Sequence, residues 1–335
     1  MNLLVTGGCG FIGSNFINYF FKYTNKLINI DILNYCSDEN NVDSQIQTSN
    51  KYKFFNINIC DKDKILEIFQ KQKITHVIHF AAQSHVQNSF ENSINFTMDN
   101  ILGTHILLEC SRIYNKLQKF IHISTDEVYG ESLLEKNEIQ KNEQSILCPT
   151  NPYAATKAGA ELLAQAYTHS FNLPIIITRG NNVYGPNQYP EKVIPKFICL
   201  LLNKENITIQ GDGSNIRGFM HVNDTCSALE HILNFGQVGE IYNIGCDVSH
   251  EITIKDLSYK LIDLINNTKD YNKYINYIQD RPFNDKRYYI SNKKLKDLGW
   301  VQKVQFDDGI RSLINFYKNK MELQSNSNWW GQITV

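Results

Sequence analysis

No two cysteines in this chain are spaced C-x-x-C, although it has eight. Cys9, Cys36, Cys60, Cys110, Cys148, Cys199, Cys226 and Cys246 are scattered, which excludes a zinc knuckle or a dithiol redox motif. They read as small core residues of a reducing compartment. An excess of either charge is also missing: 33 Lys and Arg stand against 34 Asp and Glu, a formal net charge of −1. Nucleic acid and anionic membrane surfaces therefore have no global electrostatic reason to bind, and an anionic partner must be held by local groups. No apolar run approaches the roughly 20 residues that cross a bilayer. No secretory leader pattern precedes the first strand-like run, Asn2-Leu-Leu-Val-Thr6. The expectation is a cytoplasmic protein with no membrane partner, and no metal-ligand cluster is visible.

What is present is a regular alternation. Short β-rich apolar runs at 3–6, 27–31, 53–59, 77–81, 120–124 and 174–179 are interleaved with helical patterns at 12–23, 63–72, 96–114 and 152–171. Such alternation predicts right-handed β-α-β crossovers and an α/β fold with a doubly wound parallel sheet covered on both faces. Beyond about position 185 the alternation weakens and turn-forming stretches such as Gly211-Asp-Gly213 appear. Residues 1–185 are expected to form the main domain. Residues 186–335 are expected to form a smaller, mixed α/β C-terminal lobe, interleaved with late elements of the first.

Val5-Thr-Gly7-Gly8-Cys9-Gly10-Phe-Ile-Gly13 leaves a strand and enters a helix. Glycines there permit a tight turn, close backbone approach to a pyrophosphate, and close helix packing, and the helix N-terminus offers free N–H groups to phosphates. Asp31 closes the second strand, where a carboxylate accepts from adenosine ribose hydroxyls; no Arg or Lys follows closely to balance a 2′-phosphate. The reading is a Rossmann-like domain that binds NAD rather than NADP.

Two constellations carry chemistry. Tyr153 and Lys157 are four residues apart and share a helix face. A cation beside the phenol is expected to lower its pKa, so that Tyr153 takes a proton from a substrate hydroxyl while the carbon gives up hydride. Thr125-Asp126-Glu127 ends an apolar strand with a hydroxyl and two adjacent carboxyls. A simple dehydrogenase has no use for those carboxyls, whereas elimination of water needs one acid and one base. In isolation, either constellation is an ordinary surface coincidence; together, and downstream of the glycine turn, they point to a redox-assisted dehydratase.

At these residues the chain resembles the extended short-chain dehydrogenase/reductase superfamily and, within it, the nucleotide-sugar 4,6-dehydratases. The similarity also covers Phe80-Ala-Ala-Gln-Ser-His-Val86, Arg179-Gly-Asn-Asn-Val-Tyr-Gly-Pro186, Pro190-Glu-Lys-Val-Ile-Pro195, Asp280-Arg-Pro282 and the end Trp329-Trp330-Gly331. Related epimerases carry small or neutral residues where Asp126 and Glu127 stand. The resemblance implies that Gly7, Gly10, Phe11, Ile12, Gly13, Asp31, Asn58, Ile59, Ala81 and Ala82, with Tyr153 and Lys157, hold NAD. It implies that Glu127 is the base at C5, Asp126 the acid at the 6-hydroxyl, and that Thr125 bonds the oxygen at C4. It further implies substrate contacts from Ser84, Asn182, Lys192, Arg217, Asn243 and Arg281. Asn58 stands where many relatives have Asp, and Asp99 where Thr or Asn is usual.

The dTDP-glucose enzymes carry Glu, Asp and Arg where this chain has Gln83, Gln87 and Asn88. Gln83, Arg179-Gly-Asn-Asn-Val-Tyr-Gly-Pro-Asn-Gln188 and Arg281-Pro-Phe-Asn-Asp285 resemble the UDP-glucose 4,6-dehydratase domains of plant rhamnose synthesis, so UDP-glucose is the expected substrate and dTDP-glucose the alternative. The chain has one module's worth of residues, so it is expected to stop at the keto sugar and to need a separate epimerase/reductase partner. Superfamily resemblance also implies a homodimer through the helices at 96–114 and 152–171. A UDP-sugar 4-epimerase and a noncatalytic NAD-sensing regulator are the competing readings; neither needs the Asp126–Glu127 pair.

Overall fold

The computed structural model describes residues 1–135, 137–280 and 283–323. Its strands are β1 (Asn2–Thr6), β2 (Lys26–Asp31), β3 (Tyr52–Asn56), β4 (His76–His79), β5 (Lys119–Thr125), β6 (Ile175–Gly180), β7 (Asn182–Tyr184), β8 (Ile207–Gln210), β9 (Ile216–His221), β10 (Ile241–Ile244), β11 (Glu251–Thr253) and β12 (Ile275–Ile278). Seven of them form one sheet in the order β10-β6-β5-β4-β1-β2-β3. Every neighbouring pair in it is parallel. Runs such as Leu3-Leu-Val5 and Ile175-Ile-Ile177 lack polar alternation because both faces of a parallel sheet are buried. The winding direction reverses between β1 and β4. This is the doubly wound Rossmann arrangement, which opens a crevice at the carboxyl ends of the strands at that point.

One face of the sheet is covered by helices Phe11–Phe20 and Val222–Phe235, through Phe16, Ile17, Phe20, Leu229 and Ile232. The other is covered by Lys62–Gln72, Gly103–Tyr114 and Pro152–Phe171, through Ile65, Phe69, Leu107, Leu108 and Ala164. The smaller lobe has a sheet of order β11-β9-β7, the pair β8–β12, and helices Val193–Leu202, Ile254–Asn266 and Phe306–Leu323. Its own core gathers Tyr184, Phe197, Phe219, Leu261 and Ile310. The chain leaves the main sheet after β6, builds β7 to β9, then returns through Val222–Phe235 to lay down β10.

Three segments differ from their sequence reading. The run 53–59 stops pairing at Asn56, because Asn58 Oδ1 accepts the Cys60 N–H at 2.8 Å and turns the chain. The strand expected over 77–81 is His76–His79, and Phe80 and Ala81 form the loop above it. The helix expected from position 96 starts at Ser93, and its Thr97–Leu102 stretch is a widened π-helical turn. That turn delivers Asn100, whose side chain bonds the Gln83 backbone N–H (2.8 Å) and carbonyl (3.0 Å) and donates to Thr156 Oγ1 at 2.9 Å. The loop after β4 is thereby tied to the helix that carries Tyr153 and Lys157.

Candidate active site

A cleft of about 320 Å³ lies at the carboxyl ends of β1, β2, β4, β5 and β6. At its floor Gly7 has φ +70°, and a Cβ there would come within 2.6 Å of Ala81 N. A Cβ at Gly13 would stand 2.2 Å from the Gly7 carbonyl oxygen. At Gly10 an added Cβ meets only that same oxygen, at 3.3 Å, and otherwise open cleft. The helix Phe11–Phe20 starts there with no side-chain cap, so its first-turn N–H groups are available to an anion. Asp31 accepts from Cys9 N (2.9 Å), Leu33 N (2.8 Å) and the Ser37 hydroxyl (3.1 Å). Of the roughly four lone-pair sites of a carboxylate, one remains for a ribose hydroxyl. These residues fit a dinucleotide pyrophosphate and its adenosine ribose.

Gly7, Gly10, Phe11, Ile12, Gly13, Asp31, Asn58, Ile59, Ala81, Ala82, Ser84, Thr125, Asp126, Glu127, Tyr153, Lys157, Asn182 and Lys192 all line this one cleft. Helix Pro152–Phe171 is positioned by its cap: Asn151 Oδ1 accepts Ala154 N–H at 2.9 Å, and Pro152 occupies the first turn. Tyr153 and Lys157 thus fall in its opening turns, and both are buried. Thr125 ends β5, where its Oγ1 accepts Glu127 N–H at 3.3 Å and caps the turn that presents both carboxyls.

The two carboxyls are held alike. Asp126 Oδ2 accepts from Asn181 Nδ2 at 2.6 Å, and Glu127 Oε2 accepts from Asn151 Nδ2 at 3.0 Å. Tyr288 OH also faces Glu127 Oε2 at 3.4 Å while donating to Asp285, which accepts from Thr150 at 2.8 Å. Burial, reinforced by the neighbouring Glu127 charge, pushes Asp126 up to about 7. Burial raises Glu127 too, against the opposing pull of Asn151, Lys192 and Arg217. At neutral pH this environment keeps a carboxylic acid available beside a second carboxyl, the division of labour an elimination requires.

Other placements differ from the sequence reading. Tyr153 is not lowered by Lys157: burial, then Glu127, then Asp126 raise it, and only the Thr125 hydroxyl favours its ionised form. The Lys157 ammonium instead donates to the Ile123 carbonyl at 2.6 Å, and burial lowers it to about 8. Asn243 is not in the cleft. It sits fully buried on β10, accepting from Tyr129 OH at 2.8 Å and donating to the Lys141 carbonyl at 3.2 Å. Arg217 does not line the cleft either; its guanidinium donates to the Ile216 and Asp285 carbonyls at 2.8 Å and lies over the Tyr288 ring. Its positive charge still favours ionisation of Asp126 and Glu127. Arg281 and Trp329-Trp330-Gly331 lie outside the described residues. Among the described residues no metal-binding cluster is found.

Comparison with known proteins decides the family. Residues 4–313 match the family model described as GDP-mannose 4,6 dehydratase. A Dictyostelium discoideum protein named dTDP-D-glucose 4,6-dehydratase is 46% identical, over 99% of this chain and 84% of its own length. The chain belongs to the nucleotide-sugar 4,6-dehydratase family. An Arabidopsis thaliana trifunctional protein, named UDP-glucose 4,6-dehydratase, 3,5-epimerase and UDP-4-keto-L-rhamnose-reductase, is 43% identical over 99% of this chain. The chain spans about half of that relative, 48%. A Streptomyces venezuelae dTDP-glucose 4,6-dehydratase, solved with NAD bound, superposes with a TM-score of 0.90 at 34% identity, covering 96% of this chain and 98% of that one. A Thermotoga maritima UDP-glucose 4-epimerase superposes at 0.86 with 28% identity, covering 96% of this chain and 100% of that one.

Some features of this family member escaped the sequence. Asn151 and Asn181, the amides that hold the two carboxyls, were not singled out; the doublet Asn181-Asn182 at a strand end was the available signal. The loops after β2 and β4 both meet the loop after β7 over the cleft: Tyr35 OH donates to Glu191 at 2.8 Å, and Lys192 Nζ donates to the Ser84 carbonyl at 2.7 Å. Those contacts join segments more than a hundred residues apart, which spacing alone does not reveal. Gln83 and Asp99, noted separately as departures, are partners: Gln83 Nε2 donates to Asp99 Oδ2 at 2.8 Å.

Proposed function

We propose that this protein converts a nucleoside-diphosphate glucose, UDP-glucose by preference, to its 4-keto-6-deoxy derivative, using NAD. The observation that carries the reading is the pair Asp126–Glu127, both raised by burial, in the cleft that also holds Tyr153 and Lys157. An epimerase or an NAD-sensing regulator has no use for that pair. When bound, NAD supplies the hydride acceptor and later returns the hydride.

The residues divide the remaining work. Tyr153, as its phenolate, takes the C4 hydroxyl proton; the Thr125 hydroxyl favours that form against burial and the two carboxyls, which favour the phenol. Once C4 is a carbonyl, the C5 proton is acidic because its loss gives an enolate. Glu127 removes it, and protonated Asp126 donates to the departing C6 oxygen, so that water leaves. Glu127 then returns its proton to C5. Lys192, Asn182 and Ser84 line the cleft where the diphosphate sugar would lie, and Lys192 is the cation to offset phosphate charge.

The UDP preference is supported by Gln83, by the sequence motifs Arg179-Gly-Asn-Asn-Val-Tyr-Gly-Pro-Asn-Gln188 and Arg281-Pro-Phe-Asn-Asp285, and by the 43% identity to the plant protein. The dTDP reading is supported by the 46% identity to the Dictyostelium protein. Initial rates with the two nucleotides side by side test the choice. We expect kcat/KM for UDP-glucose to exceed that for dTDP-glucose by at least about 10-fold, because the two differ in a base methyl and in the ribose 2′-hydroxyl; a reversed ratio would move the assignment to dTDP-glucose.

We also place the protein in the cytosol as a homodimer. All eight cysteines are unpaired, and no described helix is long and apolar enough to cross a membrane. Ile94, Met98 and Leu102 recur at four-residue spacing on one exposed face, and Leu162 and Phe171 are exposed on the helix Pro152–Phe171. A 3,5-epimerase/reductase activity would consume the keto sugar.

A further inference from the structure

Asp126 has two oxygens in different surroundings. Oδ2 receives the Asn181 Nδ2 donor at 2.6 Å, and Oδ1 receives the Thr125 hydroxyl at 3.2 Å, a group that, unlike the amide, can turn to accept instead. The Asn181 amide cannot be turned round, because its own Oδ1 accepts the Cys246 N–H at 2.9 Å. Reversal would set that N–H against the amide NH2 and leave two buried donors facing each other. Asn181 is itself only 8% exposed, so no solvent is at hand to relieve such a clash. A donor therefore always faces Oδ2, and a proton placed there would meet it head on.

We propose that Asn181 is a positioning residue that assigns the acid proton of Asp126 to Oδ1, the oxygen on the Thr125 side. The inference rests on the dehydratase reading and adds which atom delivers the proton and how it is refilled. Per turnover Tyr153 gains the C4 hydroxyl proton, and Asp126 loses one to the departing C6 oxygen. Glu127 takes the C5 proton and gives it back, so its account is closed. Resetting the site thus requires one proton to pass from Tyr153 to Asp126, with no change of oxidation state. Thr125 Oγ1 adjoins Asp126 Oδ1 and acts on the Tyr153 phenol. It accepts the phenol proton as it releases its own to Oδ1. Were the acid proton on Oδ2, it would be separated from this route by the carboxyl group itself.

Asn181→Ala tests the assignment, with wild type as reference in the same pH–rate series. Wild type should lose activity as pH rises through the Asp126 range, about 7, because the acid form is then depleted. Removing a donor that favours the carboxylate moves that alkaline limb up by about one pH unit. Freed to rotate, the carboxyl also delivers its proton poorly. We expect kcat to fall about 10²-fold with KM within a few-fold, and reduced cofactor to accumulate because oxidation outruns elimination. Asn181→Ser retains a donor and should keep its alkaline limb closer to wild type; it carries the test if the alanine variant does not fold. An unchanged pH profile, or a loss of rate with no accumulated reduced cofactor, would overturn the proposal. Wild type that forms no keto sugar at all would overturn the underlying reading instead.

Discussion

Glu127→Gln should lower keto-sugar formation by about 10²–10⁴-fold, the range a positioned general base contributes. The substitution keeps the side chain's shape, and an amide oxygen can still accept from Asn151 Nδ2, which lies 3.0 Å from Glu127 Oε2 in the native chain. Substrate and cofactor affinity should therefore stay within a few-fold of wild type. The distinguishing readout is partial reaction. The variant should still oxidise C4, seen as absorbance of reduced cofactor in a single turnover, yet exchange no C5 hydrogen with solvent. A variant that loses substrate binding while remaining folded would show Glu127 to be a structural support and would remove it from the chemistry.

The second large effect is on stability. Arg179 on β6 and Glu161 on the helix Pro152–Phe171 form an ion pair at 2.7 Å, with side chains 2% and 0% exposed. Arg179 also donates to Tyr129 OH at 2.7 Å, and Tyr129 donates on to Asn243. This network fixes the catalytic helix to the sheet beneath it. Glu161→Ala leaves the guanidinium buried without its counter-charge, at a cost of about 3–5 kcal/mol. Urea unfolding should register that loss as a lower midpoint at an unchanged slope. Glu161→Gln keeps part of the hydrogen bonding and should lose less. A loss below about 1 kcal/mol in the alanine variant would mean that solvent or another group takes over the charge.

Asn243 is where sequence and structure part most instructively. Family resemblance alone implies a substrate contact there. In the fold it lies on β10 and joins the Tyr129 hydroxyl to the backbone at Lys141. Resemblance marks such a position without telling whether its polar atoms serve the ligand or the scaffold. The glycine turn, Asp31 and the Tyr153/Lys157 pair were legible because each depends on local spacing: one turn, one strand end, one helix face. Thr125, Asp126 and Glu127 were legible for the same reason. The six early strands were visible as apolar runs, whereas the π-helical turn at Thr97–Leu102 was not, since it changes hydrogen-bond register and leaves composition untouched. Asn151 and Asn181 act across 24 and 55 residues. The direction of the Tyr153 shift depends on burial, which spacing does not report.

The account stands on a single transfer: the hydrogen taken from C4 must be the one delivered to C6 of the same sugar. The most direct measurement supplies UDP-glucose deuterated at C4, with unlabelled NAD, and examines the product's methyl group by mass and NMR. The account predicts one deuterium per methyl group and no label released to solvent. A methyl group free of deuterium, with the label washed out or left at C4, would contradict it.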